Sequence, residues 1–378
     1  MPQDEHPAAP SLPWRCGSVV IMGAVGLLSR GFLVGLSNLQ VNGMDKFLEL
    51  LDERKDVQRR QRGLITVSNH VSVLDDPLIW GTLPLRYMFN PDNMRWSLAS
   101  HDLAFPNKLL STFFSLGQTL PCHRLAHSPY GGLFQPTMTQ AIRLLSRAPF
   151  SAPLACNDST TTSSSATAAA AADIPDPFTS AALTYTTTGH DTFPAPAAYL
   201  SRRHGWVHIF PEGKVHQKDD RTMRYFKWGV ARLILESDPC PDVVPMWIEG
   251  PDQIMHESRK FPRFLPRLGK TVNVTFGEKV DVDKVFGDLR EKWKRLKEKE
   301  EGSERLEVGV LSDGLKYGKD AVELRKECAM RVREEVLKVR RGRGWPDEDP
   351  KAGLVETWAL EGPKKEGKME DESWVKDT

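Results

Sequence analysis

Four short runs of β-branched and other apolar residues most constrain the fold of this chain. They cover residues 64–68 (LITVS), 206–210 (WVHIF), 243–248 (VVPMWI) and 272–276 (VNVTF). Runs of this length and composition are typical of strands buried within a sheet. Helices are predicted between them, at residues 135–147 and 226–236. The pattern predicts an α/β fold with a largely parallel or mixed sheet flanked by helices.

Composition and charge narrow the class of protein. The chain has 378 residues, of which 40% are hydrophobic and 27% are charged, and this excludes a mostly disordered chain and a polytopic membrane protein. Its net charge of +1 does not support a nucleic-acid partner held by bulk charge. The tail from residue 346 onward carries −5 and the rest +6, which favours an anionic surface or substrate. The five cysteines lie far apart without a Cys-x-x-Cys pair, which indicates reduced thiols.

The least polar segment lies near the N-terminus. Residues 16–39 contain one charge, Arg30. Apolar residues recur there at steps of three and four, at Ile21, Val25, Leu28, Phe32, Leu36 and Leu39. The opposite side is small or polar, with Gly23, Gly26, Arg30 and Ser37. The pattern predicts an amphipathic helix over residues 16–40 that lies in a membrane interface, and a helix packed in the protein core is the alternative.

Composition also predicts the domain organisation. Residues 148–198 contain Ser/Thr and Ala runs and four acidic but no basic residues, which predicts a disordered insertion within one domain. We therefore expect a flexible N-terminus over residues 1–15 and one domain over residues 41–286. A charged helical extension is expected over residues 287–344, followed by an acidic tail over residues 345–378.

A histidine and an aspartate lie five residues apart just after the first predicted strand. His70 follows that strand, and Asp75 begins a predicted helix with Asp76 and Pro77. A strand-to-helix turn of this length can fold the carboxylate onto the imidazole, where it would fix the tautomer and make the ring a positioned general base. Strand ends are where α/β folds place reactive groups. The alternative is a capping aspartate beside a structural histidine.

Two further turns carry candidate binding residues. Glu212 follows the second predicted strand in a Pro-Glu-Gly turn, where it could orient a substrate hydroxyl or simply cap the next segment. Arg124 ends the segment GQTLPCHR at residues 117–124, where it could clamp a phosphate or be a solvated charge. The chain contains no G-x-S-x-G nucleophile elbow and no H-E-x-x-H zinc motif, and no G-x-G-x-x-G follows a predicted strand.

Taken together, these segments resemble the motifs of the glycerolipid acyltransferase family. In order they are N-H-x-S-x-x-D-D-P at 69–77, G-x-x-x-P-x-x-R at 117–124, W-V-H-I-F-P-E-G-K at 206–214 and V-V-P at 243–245. The doubled aspartate, and the run continued by RYFKWG at 224–229, are similar to mitochondrial transacylases that remodel cardiolipin. The resemblance covers about residues 16–282 apart from the insertion. It implies a single glycerolipid-acyltransferase-like domain.

The resemblance also implies roles for individual residues. His70 would be the general base and Asp75 its orienting partner. Gly117 and Arg124 belong to a motif linked to the glycerophosphate part of the substrate. The motif that shapes the same site comprises Phe210, Pro211, Glu212 and Gly213. Val244 and Pro245 match a motif usually assigned to the acyl chain.

The activity implied by the resemblance is a CoA-independent transacylation. An acyl chain would move from a phospholipid to monolysocardiolipin, with neither cofactor nor metal, and the partners would be lipids and a membrane surface rather than nucleic acid. The expected location is the mitochondrial membranes, inner and outer, facing the intermembrane space. The alternatives are an acyl-CoA-dependent lysophospholipid or glycerol-phosphate acyltransferase, and a membrane-bound scaffold without turnover.

Overall fold

A seven-stranded mixed sheet organises the chain. The computed structural model describes residues 8–146, 182–302, 306–359, 366–368 and 374–376. The strands are β1 (Asn38–Asn42), β2 (Leu64–Ser68), β3 (Arg95–Ser100), β4 (Thr119–Cys122), β5 (Thr184–Tyr185), β6 (Phe193–Pro194), β7 (Trp206–Ile209), β8 (Asp242–Glu249), β9 (Thr271–Phe276), β10 (Glu366–Lys368) and β11 (Trp374–Lys376). The main sheet has the order β1-β9-β8-β2-β7-β3-β4, and β5–β6 and β10–β11 form two small hairpins.

Five neighbouring strands of the main sheet run in the same direction. β8, β2, β7, β3 and β4 are parallel to one another, whereas β9 pairs with β8 in the antiparallel sense and β1 is parallel to β9. The carboxyl ends of the five parallel strands therefore meet at one edge of the sheet. The prediction of a mixed sheet is confirmed.

Helices cover both faces of this sheet. They are α1 (Leu12–Leu36), α2 (Met44–Glu53), α3 (Asp75–Gly81), α4 (Leu85–Met88), α5 (His101–Ala104), α6 (Lys108–Leu116), α7 (Pro136–Leu145), α8 (Gly229–Glu236), α9 (Pro251–Ile254), α10 (Val282–Glu301), α11 (Asp313–Tyr317), α12 (Lys319–Gly342) and α13 (Val355–Ala359). One core lies between the sheet and α7, α8, α10 and α12, and a second lies between the other face and α1–α4. Successive residues of β2 alternate between them, with Leu64 in one core and Ile65 in the other.

The four predicted strands are present within two residues of the expected ends, but three strands of the main sheet are absent from the prediction. β1 lies at the sheet edge with alternating exposure, directly after the apolar helix, so its pattern merges with that of the helix. β3 reads RWSLAS and β4 contains Pro121, and neither is a continuous apolar run. Their strand conformation depends on pairing with β7 and with each other.

The N-terminal helix α1 packs on the domain through its small residues. It spans Leu12–Leu36, begins four residues earlier than expected and ends before β1. Its buried residues include Ser18, Gly23 and Gly26, whereas Leu28 is 76% exposed. Among the helices that the structure describes, α1 alone is long and apolar enough to cross a membrane. The stripe of small residues on α1 therefore packs against the domain, and much of the apolar side of the helix stays exposed.

Arg30 is the charge in the middle of this helix, in addition to Arg15 near its N-terminus, and it does not face outward into an apolar surrounding. Its guanidinium donates hydrogen bonds to the carbonyl oxygens of Thr82 and Leu83, each at 3.2 Å. These carbonyls lie at the C-terminal end of α3, where helix carbonyls lack intrahelical partners. Arg30 therefore joins α1 to α3.

Part of the predicted disordered insertion is ordered, which contradicts that expectation. Residues 148–181 lie outside the described residues. Residues 182–198 contain the β5–β6 hairpin and a short 3₁₀ turn, and Tyr185 and Phe193 are buried against Ala104 and Phe105. Two aromatic side chains supply the apolar area that the composition of the whole segment conceals.

The charged C-terminal helices pack against the sheet. α10 runs through the expected boundary at residue 286, and its Phe286, Leu289 and Trp293 join the core that α12 completes with Val332 and Val336. The segment after α12 also packs, since Glu348 is buried and pairs with Arg333 and Arg340. Ala329, Val332 and Val336 of α12 thus form a core-facing stripe.

Candidate active site

The carboxyl edge of the parallel strands borders a cleft of about 1580 Å³. His70 follows β2, Phe210 follows β7, and His123 and Arg124 follow β4, and all four line the cleft. Because these strands are parallel, segments more than a hundred residues apart in sequence deliver their side chains to one place. Three of the four sequence motifs converge here.

His70 and Asp75 form a hydrogen-bonded pair in the cleft wall. His70 Nδ1 lies 2.8 Å from Asp75 Oδ2, and the same oxygen accepts the backbone N–H groups of Val71 and Ser72 at 2.6 and 2.8 Å. Complete burial raises the pKa of the Asp75 carboxyl, and the His70 ring and the two N–H groups oppose that shift. Asp75 holds the imidazole in one orientation, so Nε2 is the ring nitrogen left for a substrate.

Phe210 fixes the other side of the imidazole. The two rings stack with their centroids 4.3 Å apart and their planes 22° from parallel. Phe210 begins a four-residue turn closed by the bond from Gly213 N to the Phe210 carbonyl oxygen at 3.0 Å, with Pro211 second. Gly213 has φ +61°, which disfavours any side chain, and a Cβ there would lie 2.7 Å from Lys227 Nζ. The turn therefore needs its Pro and Gly to present Phe210.

Glu212 is buried and ties two loops together. Its Oε1 accepts the backbone N–H of His70 and its Oε2 accepts the backbone N–H of Arg224, each at 2.8 Å. Burial raises the pKa of Glu212 to about 7, against the opposition of these two N–H groups. Both carboxylate oxygens accept backbone N–H groups of the protein. Glu212 therefore caps neighbouring segments, as the second interpretation of this residue predicted, and does not present a free oxygen to a substrate hydroxyl.

Arg124 is held by a carboxylate that the sequence analysis did not identify. Its Nε donates to Asp102 Oδ1 at 3.1 Å, and Nη2 donates to Asp102 Oδ2. Asp102 lies in α5, just after β3, so the pair joins the ends of two neighbouring strands. The fork-to-fork contact holds the guanidinium at the cleft and neutralises part of its charge.

Gly117 is linked to the doubled aspartate through Arg95. The Arg95 guanidinium donates to the Gly117 carbonyl oxygen at 3.2 Å and forms an ion pair with Asp76. Asp76 also accepts the indole N–H of Trp80 at 2.9 Å. The second aspartate of the D-D-P motif is thus a structural tie to the Gly117 turn. Arg95 could not be singled out from sequence because its partners come from two distant segments.

Val244 and Pro245 are not brought to this site. They lie inside β8, where Val244 is buried in the core and the Pro245 carbonyl oxygen accepts the N–H of Gly277 at 2.8 Å. Neither lines the cleft. Their side chains have a packing role in the described part of the chain.

The cleft has an apolar part and a basic part. Ile21 and Val25 of α1 and Phe113 and Phe114 of α6 contribute apolar wall. Basic side chains line the region beyond the FPEG turn, at Lys214, Lys218, Arg224 and Lys227. Trp358 of α13 also lines the cleft, with Lys218 and Arg224 over its ring. A cleft of this kind suits an amphiphile that has long apolar chains and an anionic headgroup.

Among the described residues that line the cleft, no cysteine thiol is suited to act as a covalent nucleophile. Cys122 lines the cleft, but burial raises the pKa of its thiol to about 12, so the thiolate is scarce at neutral pH. His208 lies behind the Phe210 ring, and burial lowers the pKa of this imidazole to about 3, which keeps it neutral. The arrangement favours direct attack by a substrate hydroxyl with His70 as base.

Three side chains beside the cleft have the donor atoms to hold a metal ion. The candidate ligand atoms of His101, His123 and Asp191 all lie within 4.8 Å of one another. Thr187 already satisfies two of them, because its hydroxyl lies 2.7 Å from His123 Nε2 and donates to Asp191. The imidazoles of His101 and His123 stack at 4.2 Å. The Thr187 hydroxyl therefore engages His123 and Asp191, and ring stacking engages His101.

Comparisons with known proteins indicate the family of this chain. The family model described as acyltransferase matches residues 49–171. The chain is 35% identical over 343 residues to tafazzin of Saccharomyces cerevisiae. The aligned region covers 88% of this chain and 80% of that protein. It is 30% identical over 285 residues to tafazzin of Drosophila melanogaster, which covers 75% of this chain and 56% of that protein.

A solved structure is also similar. The crystal structure of the 1-acyl-sn-glycerophosphate acyltransferase from Thermotoga maritima matches 85% of this chain and 79% of its own chain, with 15% identity and a TM-score of 0.38.

Proposed function

Because the chain belongs to the tafazzin family of phospholipid acyltransferases, we propose that it moves an acyl chain from a phospholipid to monolysocardiolipin without CoA. One ester replaces another in this exchange, so the reaction is close to thermoneutral. The observation that carries the proposal is the His70–Asp75 pair, which lies in a cleft with one apolar and one basic part. The pair supplies the base, and the cleft suits two lipid substrates.

In the first step, His70 acts as general base. Nε2 accepts the proton of the lysophospholipid hydroxyl as that oxygen attacks the ester carbonyl carbon of the donor. A tetrahedral intermediate forms, and its negative charge needs hydrogen-bond donors nearby. Asp75 stabilises the imidazolium because its buried carboxylate accepts the hydrogen bond from Nδ1.

In the second step, His70 acts as general acid. The imidazolium returns its proton to the departing oxygen of the donor as the bond between that oxygen and the carbonyl carbon breaks. The products are the newly acylated lipid and a lysophospholipid. No proton is gained or lost overall, and no covalent enzyme intermediate forms.

Arg124 and Gly117, with the turn from Phe210 to Gly213, would position the phosphate-bearing part of the acceptor. Arg124 lies at the cleft with a fork geometry suited to phosphate oxygens, although Asp102 shares it. Glu212 would act as a positioning residue for His70. The exposed apolar side of α1 would hold the cleft at a membrane surface, and the location we propose is the mitochondrial membranes.

The test is an acyl-transfer assay with the purified full chain in vesicles. The vesicles contain monolysocardiolipin and acyl-labelled phosphatidylcholine, and the arms are no CoA, added acyl-CoA, and His70→Ala without CoA. We expect label in cardiolipin without CoA and none with His70→Ala. Transfer that requires acyl-CoA would assign the protein to the CoA-dependent acyltransferases. Absence of transfer in both arms, with the protein folded and bound to vesicles, would leave the scaffold alternative.

A further inference from the structure

The loop between α9 and β9 combines positive charge with exposed apolar side chains. Residues 256–270 contain five basic residues and one acidic residue. The apolar side chains at the tip are largely uncovered, since Phe261 is 89% and Phe264 73% exposed. Leu265 and Leu268 are exposed as well. Burying large apolar side chains is worth much to a protein, so a patch of four uncovered ones indicates a binding partner.

In the part of the chain that the structure describes, no carboxylate pairs with the positive charges of this loop. The basic residues are Arg259, Lys260, Arg263, Arg267 and Lys270. Within the described ranges, none of the five lies within ion-pair distance of a carboxylate. The three guanidinium groups instead donate to carbonyl oxygens of the loop itself, for example Arg259 Nη1 to the His256 carbonyl oxygen at 2.7 Å. Among the described residues the charge of the loop therefore has no carboxylate partner and is available to an anionic ligand.

Two hydrogen bonds connect the far end of the loop to the end of α1 and the start of β1. Gly269 N donates to the Leu36 carbonyl oxygen at 2.8 Å, and Asn38 N donates to the Lys270 carbonyl oxygen at 2.9 Å. The C-terminal end of the loop thus lies beside the end of α1, and Leu36 belongs to the exposed apolar side of that helix. The two apolar surfaces are neighbours.

The near end of the loop is connected to the catalytic edge. The Gln217 side chain donates to the Val71 carbonyl oxygen at 2.7 Å and accepts the N–H of Glu257 at 2.9 Å. Val71 is the residue after His70, and His256 and Glu257 line the cleft. The loop therefore connects the cleft to the C-terminal end of α1, where we expect a membrane that contacts α1 to reach it as well.

From these features we propose that loop 256–270 is a second membrane-docking surface, which recognises anionic lipid beside the cleft. Its phenylalanines and leucines would enter the interface and its lysines and arginines would meet lipid phosphates. An acidic protein partner is less suited, because the apolar side chains are interleaved with the cations rather than gathered in a pocket. The inference rests on the proposed function only in taking lipids to be the substrates.

The test measures binding of the full chain to vesicles of two kinds. One is phosphatidylcholine alone, and the other is phosphatidylcholine mixed with phosphatidylglycerol, an anionic lipid that is not the acceptor of the proposed reaction. The apolar variant is Phe261→Ser with Phe264→Ser, and its control is Leu200→Ser, an exposed leucine elsewhere. The charge variant is Lys260→Gln with Lys270→Gln, and its control is Lys294→Gln with Lys299→Gln on α10.

We expect the apolar variant to weaken binding to anionic vesicles by about tenfold or more. We expect the charge variant to weaken it by about fivefold for each lysine, with little change on neutral vesicles. The controls should match the unmodified chain. Hydrogen exchange of amides in residues 256–268 should slow on anionic vesicles even in His70→Ala, because docking precedes chemistry.

Two results would overturn the proposal. One is equal loss of binding in loop variants and their controls, and the other is unchanged exchange in the loop on anionic vesicles. Turnover with substrates dispersed in detergent should be unchanged in both loop variants. A chain that docks through the loop but shows no turnover in detergent would refute the proposed function alone.

Discussion

Glu212 Oε1 accepts the backbone N–H of His70 at 2.8 Å, although the two residues are 142 positions apart. The same carboxylate accepts the N–H of Arg224, so the turn after β7 holds the loop that carries the histidine. With Asp75 on Nδ1 and Phe210 against the ring, the imidazole is fixed from three sides. The contacts of the site and of α1 lead to four predictions.

Asp75→Asn should lower kcat by about 10²- to 10⁴-fold with little change in KM. The amide cannot stabilise the imidazolium and can present an N–H to the histidine, which disfavours the useful tautomer. Steady-state acyl transfer on vesicles measures the effect, with thermal unfolding run alongside because Asp75 also accepts two backbone N–H groups. A folded variant that keeps more than a tenth of the activity would contradict the proposed role.

Glu212→Gln should change how stability depends on pH. Glu212 has a pKa of about 7 in the folded chain against an ordinary value of 4.5. The folded state therefore holds a proton that the unfolded state releases, and the free energy of unfolding falls as pH rises from about 4.5 to about 7. The loss is about 3 kcal/mol over this window.

Urea unfolding at several pH values tests this prediction. The variant lacks the titrating group, so the difference between the two proteins should change across the window and level off above about pH 7. Glu298→Gln, an exposed glutamate of α10, is the control and should follow the unmodified chain. A constant difference between Glu212→Gln and the unmodified chain would contradict the assignment.

Gly81→Ala should separate α1 from α3. A Cβ at this position would lie 2.7 Å from Ser29 Cβ and 3.1 Å from the Ser29 carbonyl carbon, and a backbone contact cannot be relieved by a rotamer change. We expect a loss of about 1 to 3 kcal/mol in the free energy of unfolding. Gly35→Ala in α1 meets nothing within 4 Å and should be neutral or stabilising by up to about 1 kcal/mol. Equal effects would show that α1 is not docked as described.

Arg124→Gln and Asp102→Asn should differ in their effects on activity. If Arg124 binds the substrate phosphate, Arg124→Gln raises KM by about tenfold or more, whereas Asp102→Asn leaves a charged Arg124 and changes KM less. If the pair only supports the fold, both variants and the double variant should lose stability alike with KM unchanged. KM for the acceptor lipid and the unfolding midpoints separate the two cases.

Some of this architecture is encoded locally. The run LITVS at 64–68 predicts a buried strand from its apolar and β-branched residues, and β2 is buried along its whole length. The His70–Asp75 contact was also predictable, because one short strand-to-helix turn contains both residues. Local sequence likewise identified the Pro-Glu-Gly turn, since its φ requirement is a property of the turn itself.

Other features depend on partners that are remote in the sequence. Arg124 reads as a free cation until β3 and β4 pair and bring Asp102 beside it. Tyr185 and Phe193 are hidden in a segment of low complexity, and only their burial against Phe105 reveals the hairpin. β3 and β4 lack a clear strand pattern because their hydrogen bonds to neighbours, rather than intrinsic preference, decide their conformation.

Short stretches of sequence were enough to predict the α/β class, the buried strands β2, β7, β8 and β9, and the pairing of His70 with Asp75. Three further features emerge only in the folded chain: Glu212 supports His70, Asp102 holds Arg124, and α1 turns its small residues inward. Periodicity and turn chemistry act over a few residues, so they encode the first set of features and not the second. A carboxylate takes its hydrogen-bond donors, and a helix its buried side, from whatever segments the folded sheet places next to it.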